Sequence, residues 1–365
     1  MKAGKNLQEL ATEVKRQKET KRDFVGPTTA MGMFVDGGNP ANRVARLRVG
    51  RNGDAASFDI NDLAHEQIGD RLEIPRRYYE RMLQSQPDLL ADNVNTWLRA
   101  KPEKRLVRTL DNRVRAFLSD RYRPLDNFDL AEAVLPDLLG TPGLRVESAE
   151  VTDRRFYLKV VNERVQGEVK KGDVVQAGLV ISNSEVGAGS LAIQPLVFRL
   201  VCLNGAIMND GALRKYHAGK AMGGGRDGAD EMLPWERLSD EARKATDAAL
   251  WLQVRDLAKA ALDEAIFSQA LTKMQAAAGE KLVAGPTEVV EVLDKRFSLR
   301  EGEKKGILAA LIEGADLSRW GVANAITAAS QKVENYDRAT DMERLGGTIL
   351  ELPPTSWKLI SEAKN

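Results

Sequence analysis

The sequence predicts an α+β fold, in which a mostly antiparallel sheet with helices is followed by an all-helical C-terminal region. Short apolar and alternating runs separated by turn residues fill much of the segment 27–202, as is typical of antiparallel strands. Beyond Pro234 the apolar residues recur at helical spacing instead. The 365 residues are 43% hydrophobic and 29% charged, which is the composition of a globular protein with a packed core.

The first expected element is an amphipathic helix over residues 6–22, because Leu7, Leu10 and Val14 share one helical face. Lysines and arginines crowd its C-terminal end, where positive charge complements the helix dipole. We therefore expect residues 1–26 to form an exposed basic helix or arm.

Short strands are expected from 27 to 60, where the alternating pattern is broken by turns that contain glycine. From Asn61 to Arg99 the pattern becomes helical. Pro75 and Pro87 each favour the start of a new helix, since proline fits the first helical turn and prevents the previous helix from continuing. The segment should therefore fold as several short helices.

A β-hairpin is predicted over 104–118, with its turn at Asp111-Asn112, because these residue types accept the left-handed conformations of a tight turn. Residues 127–139 are expected to form an amphipathic helix. Four strand-like runs over 144–202 then predict an antiparallel meander, which would be the body of the sheet.

Residues 211–230 are rich in glycine, which predicts a mobile loop and a domain boundary. We place an α+β body at 27–228 and a helical domain at 229–365, and we expect the two to be separable. The alternative is that the helices pack on the sheet and complete a single core.

The helical domain has several expected boundaries. An alanine-rich helix is predicted from 240 to about 278. Ser298 and Glu301 have the spacing of a capping box, and Ser318 is expected to cap another helix. The pair Gly346-Gly347 is expected to end the last long helix.

The formal net charge of +1 hides an uneven distribution along the chain. Residues 1–123 carry a net charge of +7, residues 124–228 carry −1 and residues 229–365 carry −5. A basic front part can bind a polyanion, while an acidic rear part limits non-specific binding. An asymmetry of this size also arises by chance, so charge alone does not decide the function.

The stretch from Arg99 to Arg123 holds nine Lys/Arg against three Asp/Glu. In the second strand of the hairpin, Arg113, Arg115 and Phe117 are expected to share one face, where guanidinium groups bind phosphates and an aromatic ring stacks on an unpaired base. The alternative is a solvated charged hairpin whose Phe117 belongs to the core. The candidate nucleic-acid-binding residues here are Arg99, Lys101, Lys104, Arg105, Arg108, Arg113, Arg115, Phe117, Arg121, Tyr122 and Arg123.

A second basic segment with interleaved aromatic residues lies on the glycine-rich loop. Its candidate nucleic-acid-binding residues are Arg214, Lys215, Tyr216 and His217. A flexible loop of this kind could close over a bound strand, but the same composition also describes a plain surface linker.

We expect no metal site, no cofactor and no catalytic residue that can be named. The chain has only His65, His217 and Cys202 as histidine and cysteine ligands, which excludes the common zinc patterns but leaves Asp/Glu magnesium sites open. Cys202 is expected to be a small buried hydrophobic residue. The polar segment 182–185 is expected to be a turn with side-chain to backbone hydrogen bonds, with a catalytic carboxylate as the alternative.

Four motifs occur in a fixed order along the chain. They are SNSEVG at 182–187, FRLVCLNGAI at 198–207 followed by Tyr216-His217, WGVANAITAAS at 320–330 and YDRATDMERLGG at 336–347. Together they resemble the phage/plasmid-like proteins grouped as domain of unknown function 932. The resemblance implies residence on phages, plasmids and integrative elements, often near recombination functions, and it brings no role for any single residue.

The leading hypothesis is a non-enzymatic nucleic-acid-binding protein that binds or anneals single-stranded DNA in recombination and works as a homo-oligomer. The alternatives are a magnesium-dependent hydrolase or nuclease, and an interaction protein that acts on host machinery. The chain has no run of about 18 uncharged apolar residues, so we expect a cytoplasmic protein without a membrane partner.

Overall fold

The computed structural model describes residues 1–37, 43–50, 55–209, 213–215 and 239–364. These residues form two β-sheets and a set of packed helices, so the predicted α+β class with a helical C-terminal region is confirmed. The strands are β1 (Arg22–Pro27), β2 (Met31–Asp36), β3 (Val44–Val49), β4 (Ala56–Ile60), β5 (Lys104–Leu110), β6 (Arg113–Ser119), β7 (Leu144–Val151), β8 (Phe156–Lys170), β9 (Asp173–Asn183), β10 (Leu191–Arg199), β11 (Asn204–Ile207) and β12 (Leu213–Lys215). The helices are α1 (Leu7–Thr20), α2 (Asp62–Arg71), α3 (Arg76–Ser85), α4 (Pro87–Ala100), α5 (Asn127–Gly140), α6 (Asp240–Ala260), α7 (Glu264–Gly279), α8 (Pro286–Phe297), α9 (Glu301–Glu313), α10 (Arg319–Ser330), α11 (Tyr336–Glu351) and α12 (Pro354–Ser361).

The first sheet has the strand order β1-β5-β6-β4-β3-β2. Its pairs are antiparallel except for β4 and β6, which run parallel. The hairpin of β5 and β6 is confirmed, and its turn residues Asp111 and Asn112 have φ angles of 49° and 61°. Both angles lie in the left-handed region that this tight turn requires.

The hairpin contains a β-bulge at Arg115. The consecutive residues Arg108 and Thr109 of β5 pair with Ala116 and Val114 of β6, so Arg115 has no residue opposite it. An extra residue of this kind breaks the alternation of side chains along the strand. Residues on either side of the bulge therefore do not share faces as simple alternation predicts.

One face of the first sheet is covered by α2, α3 and α4. Leu47 and Val107 of the sheet form an apolar cluster there with Ile68 of α2 and Val94 of α4. Phe117 belongs to the same cluster and is only 1% exposed. The hairpin is therefore built into the core of the first sheet, although its sequence is rich in charge.

The second sheet is the predicted antiparallel meander, with the order β11-β10-β9-β8-β7 and with β12 paired to β10. At one end of this sheet an apolar cluster joins it to α1, α5 and α6. Leu10 and Val14 of α1 are buried in that cluster. The predicted N-terminal helix is present, but it is packed against the body and is not an exposed arm.

The other end of the second sheet packs against the C-terminal helices. Val175, Ala177 and Val197 of the sheet share one apolar cluster with residues from α7 to α12, among them Met274 and Ile326. This packing corresponds to the alternative in which the helices complete one core. The predicted boundary after residue 228 lies outside the described residues, and the separability of the two parts stays a prediction.

Three expected helix boundaries in this region are wrong. The predicted helix from 240 to 278 is two helices, because the chain turns after Ala260 and Asp263 caps α7. Ser298 does not start a helix, since it ends α8 with a left-handed φ of 50°. The Ser318 cap is confirmed, because its side chain accepts a hydrogen bond from the backbone N–H of Gly321.

The third error is the pair Gly346-Gly347, which lies inside α11 and does not end it. A Cβ atom on Gly347 would lie 2.0 Å from the carbonyl oxygen of Ile207. The glycine therefore allows α11 to approach β11 closely.

Among the described helices, none is both long and apolar enough to cross a membrane.

Candidate functional site

Two of the predicted binding arginines lie inside the protein. Arg108 is fully buried, with ion pairs to Asp23 at 3.0 Å and Asp126 at 2.8 Å, and it donates a hydrogen bond to the carbonyl oxygen of Glu185 at 2.8 Å. Arg115 is 7% exposed, and its Nη2 lies 2.6 Å from the Glu185 carboxylate. The expectation of a phosphate-binding strand face is therefore wrong for Arg108 and Arg115, because both guanidinium groups hold the two sheets together.

The ionisation of Asp126 shows the strength of this buried charge cluster. Burial alone would raise the pKa of Asp126, but the positive charges and hydrogen bonds of Arg108 and Lys21 lower it to about 2. The carboxylate is therefore ionised at neutral pH and stabilises both cations.

The aromatic residues of the hairpin are also occupied by the fold. Phe117 lies in the core, which confirms the alternative interpretation of that residue. The Tyr122 hydroxyl donates to the carbonyl oxygen of Ser184 at 2.9 Å, and burial raises the pKa of Tyr122. Arg123 is ion-paired with Asp247. Phe117 therefore cannot stack on a base, and Tyr122 and Arg123 contact neighbouring parts of the chain.

The polar segment after β9 is the expected turn with side-chain to backbone hydrogen bonds. The Ser184 hydroxyl donates to the carbonyl oxygen of Arg154 at 2.8 Å and accepts from the N–H of Ala188 at 2.9 Å. The Glu185 carboxylate accepts from the N–H of Asn127 at 2.5 Å. These contacts fix the turn against α5 and the β7–β8 connection.

The other motifs join the second sheet to α10 and α11. Asn204 of β11 donates to the Thr327 hydroxyl at 2.6 Å. Lys159 of β8 and Glu343 of α11 form a fully buried ion pair at 2.5 Å. Cys202 lies in the turn between β10 and β11 and is exposed, so the expectation that it is buried is wrong.

The second predicted basic segment is described only in part. Arg214 and Lys215 lie on β12, which pairs with β10. Tyr216 and His217 lie outside the described residues. The role predicted for this segment is therefore not tested by the structure.

The remaining predicted cations lie at or near the surface. Arg99, Lys101, Lys104, Arg113 and Arg121 are exposed, and Arg105 is partly buried. Lys101 and Arg105 both form ion pairs with Glu103.

A cleft of about 720 Å³ opens beside Lys101 and Arg105, between the α2–α3 connection, α4 and the start of β5. Its floor is apolar and includes Leu98 and Phe117, while Arg71 lies on its rim. The cleft therefore contains three of the residues that the sequence predicted to bind nucleic acid, Lys101, Arg105 and Phe117. They line a cleft and do not form a face of one strand. Arg99, Lys104, Arg113 and Arg121 do not line it.

Two aromatic rings of the cleft are exposed to an unusual degree for their size. Tyr78 of α3 is 44% exposed and Trp97 of α4 is 49% exposed. The Trp97 indole N–H donates to the Asn93 side chain at 3.0 Å, one turn earlier in α4, which orients the ring. Both side chains therefore line the cleft and are about half exposed to solvent.

Sequence reasoning missed both rings. For Tyr78, the one relevant pattern is the pair of adjacent tyrosines in α3. Tyr78 and Tyr79 are adjacent on one helix, and neighbouring helical residues point about 100° apart, so the two rings face different surroundings. Tyr79 is 4% exposed and its hydroxyl lies 2.8 Å from Nδ1 of His65. Tyr78 instead lies on the exposed side of α3, beside the charged residues Arg77 and Arg81.

The cations near the cleft differ in whether a carboxylate neutralises their charge. Arg71 on the rim, and Arg77 and Arg81 on the same helix as Tyr78, are exposed and form no ion pair with another described residue. The acidic residues of the lining are Glu73 and Glu103, and Glu103 is already paired. The rim therefore carries uncompensated positive charge.

Within the described ranges, no group of three or more His, Cys, Asp and Glu side chains is placed to hold a metal ion. The chemistry that the cleft offers is stacking on two rings and attraction of negative charge. No arrangement of nucleophile and general base is formed by the residues that line it.

A family model described as Domain of unknown function (DUF932) matches residues 115–348. Neither the curated proteins nor the solved structures gave a match. The matched span includes the second sheet, the turn after β9 and the helices α6 to α10. Tyr78, Trp97 and the cations of the cleft precede it.

Proposed function

The chain belongs to the domain of unknown function 932 family, and we propose that it binds single-stranded nucleic acid in the cleft of Tyr78 and Trp97. The observation that carries the proposal is the pair of half-exposed rings on one cleft with a basic rim. Burial of an aromatic side chain in the core is the usual outcome of folding. Two exposed rings that line the same cleft therefore favour a stacking surface for a ligand.

The dimensions and charges of the cleft support nucleic acid as that ligand. Its volume of about 720 Å³ lies within the range of about 300–1,000 Å³ that is common for ligand pockets. Unpaired bases can stack on the indole and phenol rings, while Arg71 and Lys101 attract the phosphates. Stacking does not depend on base identity, so binding should show little sequence preference.

Binding of a fluorescent single-stranded DNA oligonucleotide, followed by anisotropy at low salt, tests the proposal. We expect Trp97→Ala and Tyr78→Ala each to weaken binding by about 5-fold to 150-fold, since stacking contributes about 1–3 kcal/mol per base. Leu89→Ala is the matched control, because Leu89 is 47% exposed on the same helix as Trp97. Wild-type protein that does not bind, or ring variants that bind as well as Leu89→Ala, would contradict the proposal.

Salt dependence separates phosphate contacts from stacking. The variant Lys101→Gln should lower the slope of log affinity against log salt by about 0.7, the value for one phosphate contact on a single strand. Lys358→Gln in α12, whose side chain is 72% exposed, should leave the slope unchanged. Equal slopes for Lys101→Gln and wild type would remove Lys101 from the interface.

Strand annealing in recombination, assembly as a homo-oligomer, a cytoplasmic location and a phage or plasmid origin belong to the same proposal. Annealing is tested by mixing two complementary strands that carry a fluorophore and a quencher, and assembly by sedimentation with and without DNA. Incubation of labelled DNA with magnesium tests the nuclease alternative. Degradation of the strand would favour that alternative.

A further inference from the structure

Glu103 neutralises two of the cations that line the cleft of Tyr78 and Trp97. Its carboxylate is ion-paired with Arg105 and lies 3.6 Å from Nζ of Lys101. The Arg105 side chain is 12% exposed, so salt screens this ion pair only weakly. Both cations are therefore already bound to a carboxylate when the cleft is free.

The backbone of Glu103 is fixed in the wall of the cleft. The N–H of Thr28 donates to the Glu103 carbonyl oxygen at 2.8 Å, and the N–H of Glu103 donates to the Thr28 hydroxyl at 3.2 Å. Thr28 is itself buried, and its hydroxyl donates to the carbonyl oxygen of Leu98 at 2.7 Å. The carboxylate can therefore leave the two cations by rotation of its side chain, while the backbone keeps it beside them.

The other charges of the cleft are not paired in this way. Arg71 on the rim is exposed and forms no ion pair with another described residue. Glu73, the second acidic residue of the lining, is also exposed and forms no ion pair with another described residue. A strand that approaches the rim is therefore attracted to Arg71 without first breaking an ion pair, whereas contact with Lys101 or Arg105 requires the displacement of Glu103.

A phosphate and a carboxylate compete for the same donors, because guanidinium groups bind both in bidentate geometry. A strand that is already held by the two rings and the rim has its next phosphate at a high effective concentration beside Lys101 and Arg105. The phosphate can then replace the carboxylate. Loss of the Glu103 ion pairs opposes this step, so the carboxylate lowers the net affinity for the strand.

We propose that Glu103 is an internal competitor that limits the affinity of the cleft for the phosphodiester backbone of a single strand. In the free protein its carboxylate pairs with Lys101 and Arg105, and in the complex a phosphate takes its place. The strand consequently stays exchangeable, as release to a complementary strand requires. The inference rests on the proposed function, because it concerns the affinity of the same cleft.

Anisotropy with a fluorescent single-stranded DNA oligonucleotide tests the proposal in the full-length protein. Glu103→Gln removes the competing charge at a side chain that is 37% exposed, and the glutamine oxygen can still accept a hydrogen bond from Arg105. We expect this variant to bind at least about 3-fold tighter than wild type, because binding no longer breaks an ion pair. Glu73→Gln is the matched control, since it removes the same charge from the same lining but frees no paired cation. A gain in Glu103→Gln no larger than the gain in Glu73→Gln would overturn the proposal.

A methylphosphonate oligonucleotide of the same sequence, whose backbone is uncharged, separates competition for phosphate from a change in the shape of the cleft. It should bind wild type and Glu103→Gln equally, because only a charged backbone competes with the carboxylate. Tighter binding of the uncharged strand by Glu103→Gln would contradict the proposal. Wild type that binds DNA through Tyr78 and Trp97, with no gain in Glu103→Gln, would remove this inference alone. Wild type that does not bind DNA would remove the proposed function.

Discussion

Arg108 and Arg113 come from the same short hairpin, yet their substitution should change the stability of the protein by very different amounts. Replacement of Arg108 by Ala would remove the fully buried cation that pairs with both Asp23 and Asp126, and would leave Asp126 with Lys21 as its cation partner. We expect a loss of about 3–5 kcal/mol in the free energy of unfolding, as for other broken buried ion pairs. Arg113→Ala should change it by less than about 0.5 kcal/mol, because Arg113 is exposed. Urea denaturation of both variants would measure the contrast, and similar losses would contradict it.

A second prediction at this scale concerns His65. Burial lowers the pKa of His65 from 6.5 to about 4, although Asp62 acts in the opposite direction. Between pH 6.5 and 4 the unfolded chain therefore binds a proton that the folded protein does not, so stability falls as the pH falls through this window.

The variant His65→Gln should flatten that dependence, because glutamine does not titrate and can still hydrogen-bond to the Tyr79 hydroxyl. His217→Gln, which changes the only other histidine of the chain, should keep the original slope. Urea denaturation at several pH values measures both. A steep slope in His65→Gln would show that another group controls the acid sensitivity.

The candidate site could be predicted from the sequence only in part. Composition directed attention to Lys101 and Arg105, which line the cleft of Tyr78 and Trp97. The prediction that Arg115 and Phe117 share an exposed strand face was wrong. A bulge changes which face a side chain occupies, and no local sequence pattern indicates the bulge. Charge in a sequence also does not reveal whether its partner is solvent or, as for Arg108, a carboxylate from a distant segment.

At the scale of elements, Gly347 and Gly302 offer a matched pair of substitutions. Alanine at Gly347 would place Cβ 2.0 Å from the Ile207 carbonyl oxygen, whereas nothing lies within 4 Å of the corresponding position at Gly302. We expect Gly347→Ala to destabilise the protein by about 1–3 kcal/mol, as an overpacked contact does. Gly302→Ala should stabilise it by up to about 1 kcal/mol, because alanine favours the helix. Thermal denaturation gives the sign of each effect, and stabilisation by both would refute the close approach of α11.

The strands and helices were predictable from the sequence where the residues that indicate them lie within the element or next to it. The hairpin at 104–118 and the meander at 144–202 were predicted from turn residues and strand composition, and both are confirmed. The pairing of β1 with β5 and of β4 with β6 joins segments far apart in the chain, and periodicity within a segment contains no information about its partner. The glycine pair in α11 misled the prediction, because glycine also serves close packing inside a helix.

At the scale of the whole molecule, the shared core predicts how the chain responds to cleavage. A fragment of residues 1–209 would lose the helices that cover Val175 and Val197. We therefore expect this fragment to aggregate or to melt without a cooperative transition. Protein cut within 211–230 should instead keep both pieces associated on size-exclusion chromatography. A soluble fragment 1–209 that melts cooperatively and binds DNA would establish two separable domains.

The two residues of the buried Lys159–Glu343 ion pair are synthesised at very different times. Lys159 leaves the ribosome long before Glu343, which follows it by 184 residues. Until α11 arrives, one face of the second sheet stays open with a lysine charge in its middle. An inward-pointing charge discourages such a face from joining other unfinished chains. We therefore expect Lys159, which is fully buried in the folded protein, also to protect the nascent chain from aggregation while its last helices are still being synthesised.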